Sequence, residues 1–153
     1  MLKKTILGAS LTALLSLPAM AGECPSDQVL ETARPLTVGQ GPGYDGRVAA
    51  TIDLTGWRDM GNFMLRTRTL TIPPRGVVAE HTHDDRPAIV HIIAGELVEH
   101  NAFCAEPIVH KAGDTIPEFG AGHRHWWENP TDQPVMATSS DVVPFEAAND
   151  DNM

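Results

Sequence analysis

The sequence predicts an all-β domain, a single barrel or sandwich preceded by an irregular N-terminal arm. From Arg47 onward the chain is a series of short segments rich in Val, Ile, Thr, Leu and Phe. Gly, Pro, Asn and Asp separate these segments about every 8–12 residues, a spacing typical of sandwiches and barrels. We find neither a sustained helical period nor an internal repeat, so one barrel over residues 47–145 is expected.

Nine strands are expected within that range, each bounded by turn residues. They are Arg47–Leu54, Phe63–Ile72, Val77–His83, Ala88–Ile93, Leu97–His100, Ile108–Lys111, Thr115–Glu118, His123–Asn129 and Val135–Val143. The arm, residues 22–46, is rich in Pro and Gly, and only Asp27–Ala33, with Ser26 as its cap, is expected to form a short helix. The acidic tail, residues 146–153, is expected to fray.

The first 21 residues have the pattern of a secretory signal peptide. Two lysines precede the apolar stretch Ile6–Leu17, and Ala19–Ala21 forms a small-x-small cleavage site. Glu23 precedes Cys24, where a lipid-attachment signal requires a small residue. Cleavage after Ala21 predicts a free soluble protein, exported to the periplasm or beyond; the alternative is an uncleaved N-terminal anchor.

Charge and cysteine content limit the partners and the compartment. The formal net charge is −9, and Lys111 is the one lysine beyond the signal segment. Such a chain is poorly suited to nucleic acid or, once processed, to membranes, so a small molecule is the expected partner, and a homodimer is left open. Cys24 and Cys104 are expected to form a disulfide in an oxidising compartment, unless one of them is a reactive thiol or a ligand.

Two His-x-His pairs predict a metal site. His81 and His83 point to the same side of a strand, because side chains alternate faces. His123 and His125 repeat this pattern, and all seven histidines of the chain lie between residues 81 and 125. A lone exposed histidine is usually only a solvated residue, but two such pairs in one small domain favour metal binding.

At these residues the sequence resembles a cupin. The first cupin motif matches Gly76, His81, His83 and Gly95, with Ala88 at the position of its Glu. The second matches Gly113, His125 and Asn129, with Gly120 at the position of its Pro and one extra residue between Gly113 and Asn129. Both motifs lie within residues 76–129, and the resemblance covers about residues 60–143.

The resemblance implies a double-stranded β-helix, or jelly-roll, barrel with a metal ion inside its mouth. It assigns His81, His83 and His125 as ligands. Since Ala88 removes the usual carboxylate ligand, the site is expected to be neutral apart from the metal. Water or substrate would fill the gap, or His123 would, as a further ligand or as a neighbour that supports one.

The remaining histidines and acids are weaker candidates for that position. Asp84 and Asp85 are expected to face solvent from a turn, and alternation places His91 outside the barrel mouth. His100 and His110 have no partner at ligand spacing and are interpreted as surface residues.

Three further residues are candidates for the pocket wall. Trp127 shares a face with His125 and either lines the pocket or packs in the core, whereas Trp126 faces the other way. Arg66 and Arg68 share a strand face, where they either anchor a ligand carboxylate or pair with acids at the surface.

The sequence supports two classes of function. Three neutral imidazoles leave positions open on Fe, Mn, Zn, Ni or Cu, so a metal-dependent enzyme acting on a small chelating compound is expected. The resemblance makes an oxygenase, of the dioxygenase kind, or an isomerase plausible, with Glu80, Glu118 and His123 as candidate acids and bases. The alternative is a non-catalytic periplasmic protein that binds a metal or a small ligand.

Overall fold

The computed structural model describes residues 23–147, which fold into two antiparallel sheets. The predicted signal peptide with its cleavage site and the tail beyond residue 147 lie outside the described residues. The fold is the all-β jelly-roll barrel that the sequence predicts. Neither helix of the described part has the length and apolar character needed to cross a membrane.

Nine strands make up the two sheets. They are β1 (Asp45–Asp53), β2 (Phe63–Ile72), β3 (Val77–Thr82), β4 (Ala88–Ala94), β5 (Glu96–Asn101), β6 (Ile108–Lys111), β7 (Thr115–Glu118), β8 (Arg124–Glu128) and β9 (Val135–Pro144). One sheet has the order β1-β2-β9-β4-β7 and the other β3-β8-β5-β6. Short 3-10 helices span Trp57–Asp59 and Phe145–Ala147. Three strands, β2, β6 and β7, have the predicted bounds, and the ends of the others differ by one or two residues.

The core lies between the inward faces of the two sheets. Burial alternates along β2, β4 and β9, as expected for strands with one face inside. The main apolar cluster consists of Leu70, Ile72, Val78, Val90, Ile92, Leu97, Ile116, Trp127, Val135 and Ala137. Burying each large side chain of this cluster contributes about 1.5–3 kcal/mol.

Asn129 fastens the turn after β8. Its Nδ2 donates to the carbonyl oxygens of Pro73 and Gln133, at 2.9 and 2.7 Å. Its Oδ1 accepts from the backbone N–H of Thr131 at 3.0 Å. This one side chain joins the turn after β2 to the turn after β8, which gives the second motif its structural role.

Residues 23–46, the described part of the N-terminal arm, contain no helix, so the helix expected over Asp27–Ala33 is wrong. A turn at residues 26–28 is followed by a bridge between Val29 and Cys104, and Cys24 forms the predicted disulfide with Cys104. The backbone N–H of Leu30 donates to the carbonyl of Phe103 at 2.9 Å. Backbone groups that a helix would pair internally are instead bonded to the barrel, so tertiary pairing outweighs local propensity here.

Candidate metal centre

Three histidines converge where β3 and β8 pair. His81 and His125 are register partners, and a β-bulge between Val78 and His81 adjusts the approach of β3. His83 follows one residue after the end of β3. One ligand nitrogen from each of the three histidines lies within 4.8 Å of the other two. Strand pairing thus brings together the three residues predicted as ligands.

The hydrogen bonds of the three rings fix which nitrogen carries the proton. Each Nδ1 lies close to an oxygen that can only accept: His81 to Ala79 O at 2.9 Å, His83 to Arg86 O at 2.9 Å, and His125 to Glu99 Oε1 at 2.8 Å. In the neutral rings Nδ1 therefore donates, and Nε2 keeps its lone pair. The Nε2 atoms of His81 and His125 are 3.1 Å apart, so two lone pairs face each other. A cation between them removes that repulsion.

The first two of these histidines are neutral at pH 7. Burial lowers the pKa of His81 to about 3, and repulsion from His125 acts in the same direction. Burial also lowers the pKa of His83 to about 3. Neutral imidazole is the form that binds metals, so the fold holds both rings ready for this role.

Glu118 brings a carboxylate to the same point. Its Oε2 lies 3.2 Å from Nε2 of His83, and its Oε1 lies 3.8 Å from Nε2 of His125. Both carboxylate oxygens and Nε2 of His83 are buried without a hydrogen-bond partner among the described residues. Burial raises the pKa of Glu118 to about 7, with a further contribution from the nearby Glu99. Unsatisfied buried acceptors are costly, and a bound divalent cation would satisfy all three, so the residues fit a metal.

The expectation of a site without a carboxylate is therefore wrong. Ala88 is buried and pairs with Glu118 across β4 and β7. Residue 88 on β4 lacks a carboxylate, but Glu118 on the neighbouring strand β7 carries one. This pairing depends on the register of two strands that lie far apart in sequence, which the sequence does not reveal.

Glu99 supports His125 from behind. It accepts hydrogen bonds from Nδ1 of His125 at 2.8 Å, from Nε2 of His110 at 3.0 Å and from Nδ2 of Asn101 at 2.9 Å. Burial opposes its ionisation, but the bonds from His110 and His125 hold the pKa of Glu99 below its usual range. Glu99 was not predicted as a site residue, because its role depends on strand pairing. His110, interpreted as a surface residue, is fully buried.

His123 lies beside the three histidines, although β8 begins only at Arg124. Its ring centroid is 4.8 Å from that of His125 and 5.6 Å from that of His83. Its Nε2 is buried without a hydrogen bond and is 3.9 Å from Oε1 of Glu99. One ligand atom each from Glu99, His123 and His125 also lies within 4.8 Å of the others. Burial lowers the pKa of His123.

The two remaining histidines lie away from this centre. His91 is exposed on the outer face of β4 and bonds Oγ1 of Thr115 at 2.9 Å. His100 is not a simple surface residue: it stacks on Trp126, with ring centroids 3.9 Å apart, and bonds Glu128 at 3.0 Å. Neither ring joins a group of potential ligands within residues 23–147.

Trp127 packs in the core, one of the two roles considered for it, and its place in a pocket wall stays a prediction. It is buried in the main apolar cluster, and its ring lies 5.5 Å from that of His125 and 4.7 Å from that of His110. The core residue thus also backs a histidine of the centre and limits its movement.

Arg66 and Arg68 are buried inside the barrel, so the expected pairing with acids at the surface is wrong. Arg66 makes two hydrogen bonds to Asp141, from Nε at 3.0 Å and from Nη2 at 2.7 Å. Nη2 of Arg68 lies 3.2 Å from the same carboxylate. The partner acid is therefore internal, and contact of either arginine with a ligand remains a prediction.

Comparisons with known proteins agree with this architecture. Residues 68–141 match the cupin domain family, Cupin_2. A comparison with curated proteins finds no match. A cupin domain from Bordetella pertussis Tohama I is 16% identical with a TM-score of 0.51, and the match covers 69% of this chain and 98% of that one. An uncharacterized Klebsiella pneumoniae protein with a double-stranded β-helix domain is 21% identical with a TM-score of 0.52, covering 76% and 87%. Together, the motifs, the barrel and these matches show that residues 68–141 form a cupin domain.

Proposed function

We propose that this protein is an exported metal-dependent cupin in which His81, His83 and His125 hold a divalent transition metal. The observation that supports it is the convergence of three Nε2 lone pairs, two of them 3.1 Å apart, with every Nδ1 already bonded to an oxygen. Glu118 is the proposed carboxylate of the centre, and His123 is a further ligand or a neighbour that supports one. Fe, Mn, Zn, Ni and Cu all suit such donors.

A bound metal would supply Lewis-acid chemistry to a small chelating compound. In the metal-free protein, burial raises the pKa of Glu118 to about 7, so this carboxyl can hold a proton near neutral pH. A bound cation favours the ionised form, so metal binding would release that proton and leave Glu118 as an anionic ligand. We favour an enzyme of the oxygenase or isomerase type, because three histidines and one carboxylate leave positions open on the metal for a small chelating compound.

Metal analysis of the protein purified from its own periplasm tests the centre. We expect about one transition-metal ion per chain, and its loss in His81→Ala, His83→Ala and His125→Ala. His91→Ala is the control, since its ring is exposed on the outer face of the barrel. Equal retention of metal by all four variants would overturn the proposed ligand set.

Oxygen uptake by the iron-loaded protein, measured with a panel of thiols, flavonols and diketones, tests turnover. An oxygenase consumes dioxygen with one of these classes and loses activity in Glu118→Gln. Binding of a panel compound without conversion would instead support the non-catalytic alternative.

We also propose that the protein is exported to the periplasm or beyond. The disulfide between Cys24 and Cys104 suits an oxidising environment, which the periplasm provides. Mass spectrometry of protein from the periplasmic fraction is expected to show a chain that starts at Gly22 and is two hydrogens lighter than its reduced form. A chain that retains Met1 would contradict cleavage.

A further inference from the structure

A cavity of about 330 Å³ lies next to the candidate metal centre. Glu99 and His123 are among its lining residues, and both lie close to His125. Oε1 of Glu99 is 2.8 Å from Nδ1 of His125, and the ring centroids of His123 and His125 are 4.8 Å apart. The volume falls at the small end of the range found for small-molecule sites. The proposed ligands His81, His83 and His125 do not line the cavity, which adjoins the proposed centre through Glu99 and His123.

The walls of the cavity are apolar. Val29, Phe103, Ile108, Ile116 and Phe119 line it. Ile108 and Ile116 are buried, but Val29 and Phe119, at its rim, are 58% and 62% exposed. A ligand that covers these apolar side chains removes them from water, which lowers the free energy of the complex. A flat hydrocarbon body suits these walls better than a polyhydroxylated one.

The charged residues of the cavity are acidic. Glu23 lies at one side and Glu99 at the inner end, and neither lysine nor arginine is among the described residues that line it. An anion entering this space meets two carboxylates and neither a lysine nor an arginine. With Glu118 in the adjoining centre, three carboxylates outweigh the two positive charges of the proposed metal ion. Opposite charges attract and like charges repel most strongly where water is excluded, so the lining selects against anionic ligands.

A polar group of a ligand has a defined place at the inner end. Oε1 of Glu99 and Nε2 of His123 are 3.9 Å apart, too far for a hydrogen bond, and His123 Nε2 has no other partner among the described residues. Oε1 of Glu99 already accepts from His125 and Asn101. A hydroxyl or amine group held to one side of the line between the two atoms can hydrogen-bond Nε2 of His123 while its hydrogen faces the negative charge of Glu99. The ligand is thus anchored by a donor group and not by a carboxylate.

The N-terminal arm forms one wall of this cavity. Glu23, Cys24 and Val29 all line it. The arm is held in place by the disulfide to Cys104 and by the hydrogen bond from Ala105 N to Gln28 O at 2.9 Å. The segment that precedes the first strand is therefore part of the proposed ligand site.

We infer that this cavity binds the substrate, and that the substrate is a neutral or cationic small molecule with an apolar, ring-sized body and a hydroxyl or amine group. This rests on the proposed function, since it takes the metal centre as the place of reaction. The inference goes further by excluding small carboxylates and phosphates as preferred ligands and by assigning the arm to ligand binding.

Three phenols of one size test the charge preference by calorimetry on the metal-loaded and the metal-free protein. Tyrosol is neutral, tyramine is cationic and 4-hydroxyphenylacetate is anionic. We expect tyrosol and tyramine to bind, and the anion to bind at least about tenfold more weakly. Glu23→Lys is expected to narrow that difference. Anion binding equal to or tighter than that of tyrosol would overturn the inference.

Rim variants test whether the probes occupy this cavity. Val29→Ser and Phe119→Ser are expected to weaken tyrosol binding several-fold while metal content stays unchanged. Ile52→Ser is the matched control, because Ile52 is also 58% exposed but lies on β1 and does not line the cavity. Unchanged tyrosol binding in both rim variants would overturn the assignment.

The two proposals can fail separately. Metal bound at full occupancy, with no binding of any of the three phenols, overturns the cavity assignment and leaves the metal centre intact. If the natural protein fails to retain metal after loading but still binds tyrosol, the proposed metal function is overturned. The proposed ligand class of the cavity then stays in place.

Discussion

Ala88 and Glu118 face each other across the antiparallel pair of β4 and β7, and both side chains are buried. Directly opposed residues of such a pair have Cβ atoms about 4.5–5.5 Å apart. Glu118 reaches His83 from this position, at 3.2 Å. A carboxylate can thus arrive beside the three histidines from the neighbouring strand, although the position assigned to it by the first motif carries alanine.

Exchanging these two residues tests that relationship. Ala88→Glu alone adds a second carboxylate beside Glu118, and Ala88 also pairs with Asp141 on its other side. We expect this single change to lower the free energy of unfolding by roughly 1–3 kcal/mol from overpacking, with a further loss from charge repulsion. The double change Ala88→Glu with Glu118→Ala keeps one carboxylate, so its metal retention is expected to exceed that of Glu118→Ala.

Metal content after dialysis and chemical denaturation of the same samples provide the measurements. Ala88→Leu, which adds bulk without charge, separates overpacking from repulsion. If Ala88→Glu bound metal more tightly with no loss of stability, Glu118 would not be the carboxylate of the centre.

Glu118→Gln is expected to change stability in opposite directions without and with metal. In the metal-free protein the pKa of Glu118 is raised by burial from 4.5 to about 7. Its contribution to stability is therefore complete below pH 4.5 and is lost as the pH rises through 7. The variant should match the natural protein near pH 4.5 and exceed it near pH 8, by up to roughly 3 kcal/mol. With metal present the variant lacks a negative charge and should be the less stable protein.

Urea unfolding at several pH values, with and without a chelator, measures both effects. A constant difference between the two proteins from pH 4.5 to 8 would show that residue 118 does not titrate in this range.

Glu99→Gln is expected to weaken metal binding about 10–100-fold, because it removes the charge that orients His125 and increases its basicity. Glu128→Gln is the matched control: Glu128 bonds His100 at 3.0 Å, in a pair that is remote from the centre. Competition with a fluorescent zinc chelator measures both variants. Equal affinities would mean that Glu99 serves only to satisfy buried His110.

Loss of the disulfide is expected to destabilise the fold and to release the arm. Cys24 and Cys104 are 80 residues apart, for which chain entropy gives roughly 4–5 kcal/mol, less any strain. Cys24→Ala with Cys104→Ala should therefore unfold at lower urea concentration, and reductant should affect only the natural protein. An unchanged midpoint would show that the backbone bonds of the arm suffice without the bridge.

The strands were predictable because each has its own local signal. Phe63–Ile72 alternates buried and exposed residues and is followed by Pro73, so its bounds can be identified without knowledge of its neighbours. The helix expected at Asp27–Ala33 fails for the opposite reason, since Val29 pairs with Cys104, a residue far along the chain. Local propensity decides only where no tertiary partner competes for the backbone.

The candidate site likewise contains residues with a local sequence signal and residues whose role depends on strand pairing. The spacing of His81 and His83 is local and indicates a shared face, which the structure brings opposite His125. Glu99 lies two residues from Asn101 but bonds His110 and His125, so its role depends on strand pairing alone. Residues that act through cross-strand partners were therefore missed or misinterpreted, as His110 was.

β3 and β7 are edge strands, so metal binding is expected to affect the solubility of the protein. β3 ends the four-stranded sheet and carries His81, while β7 ends the five-stranded sheet and carries Glu118. An ion bound to both residues would tie together two strand edges from different sheets. Edges that come loose expose backbone groups that can pair with another chain. Loss of the metal would then remove the function of the centre and would also leave metal-free molecules that are prone to aggregate.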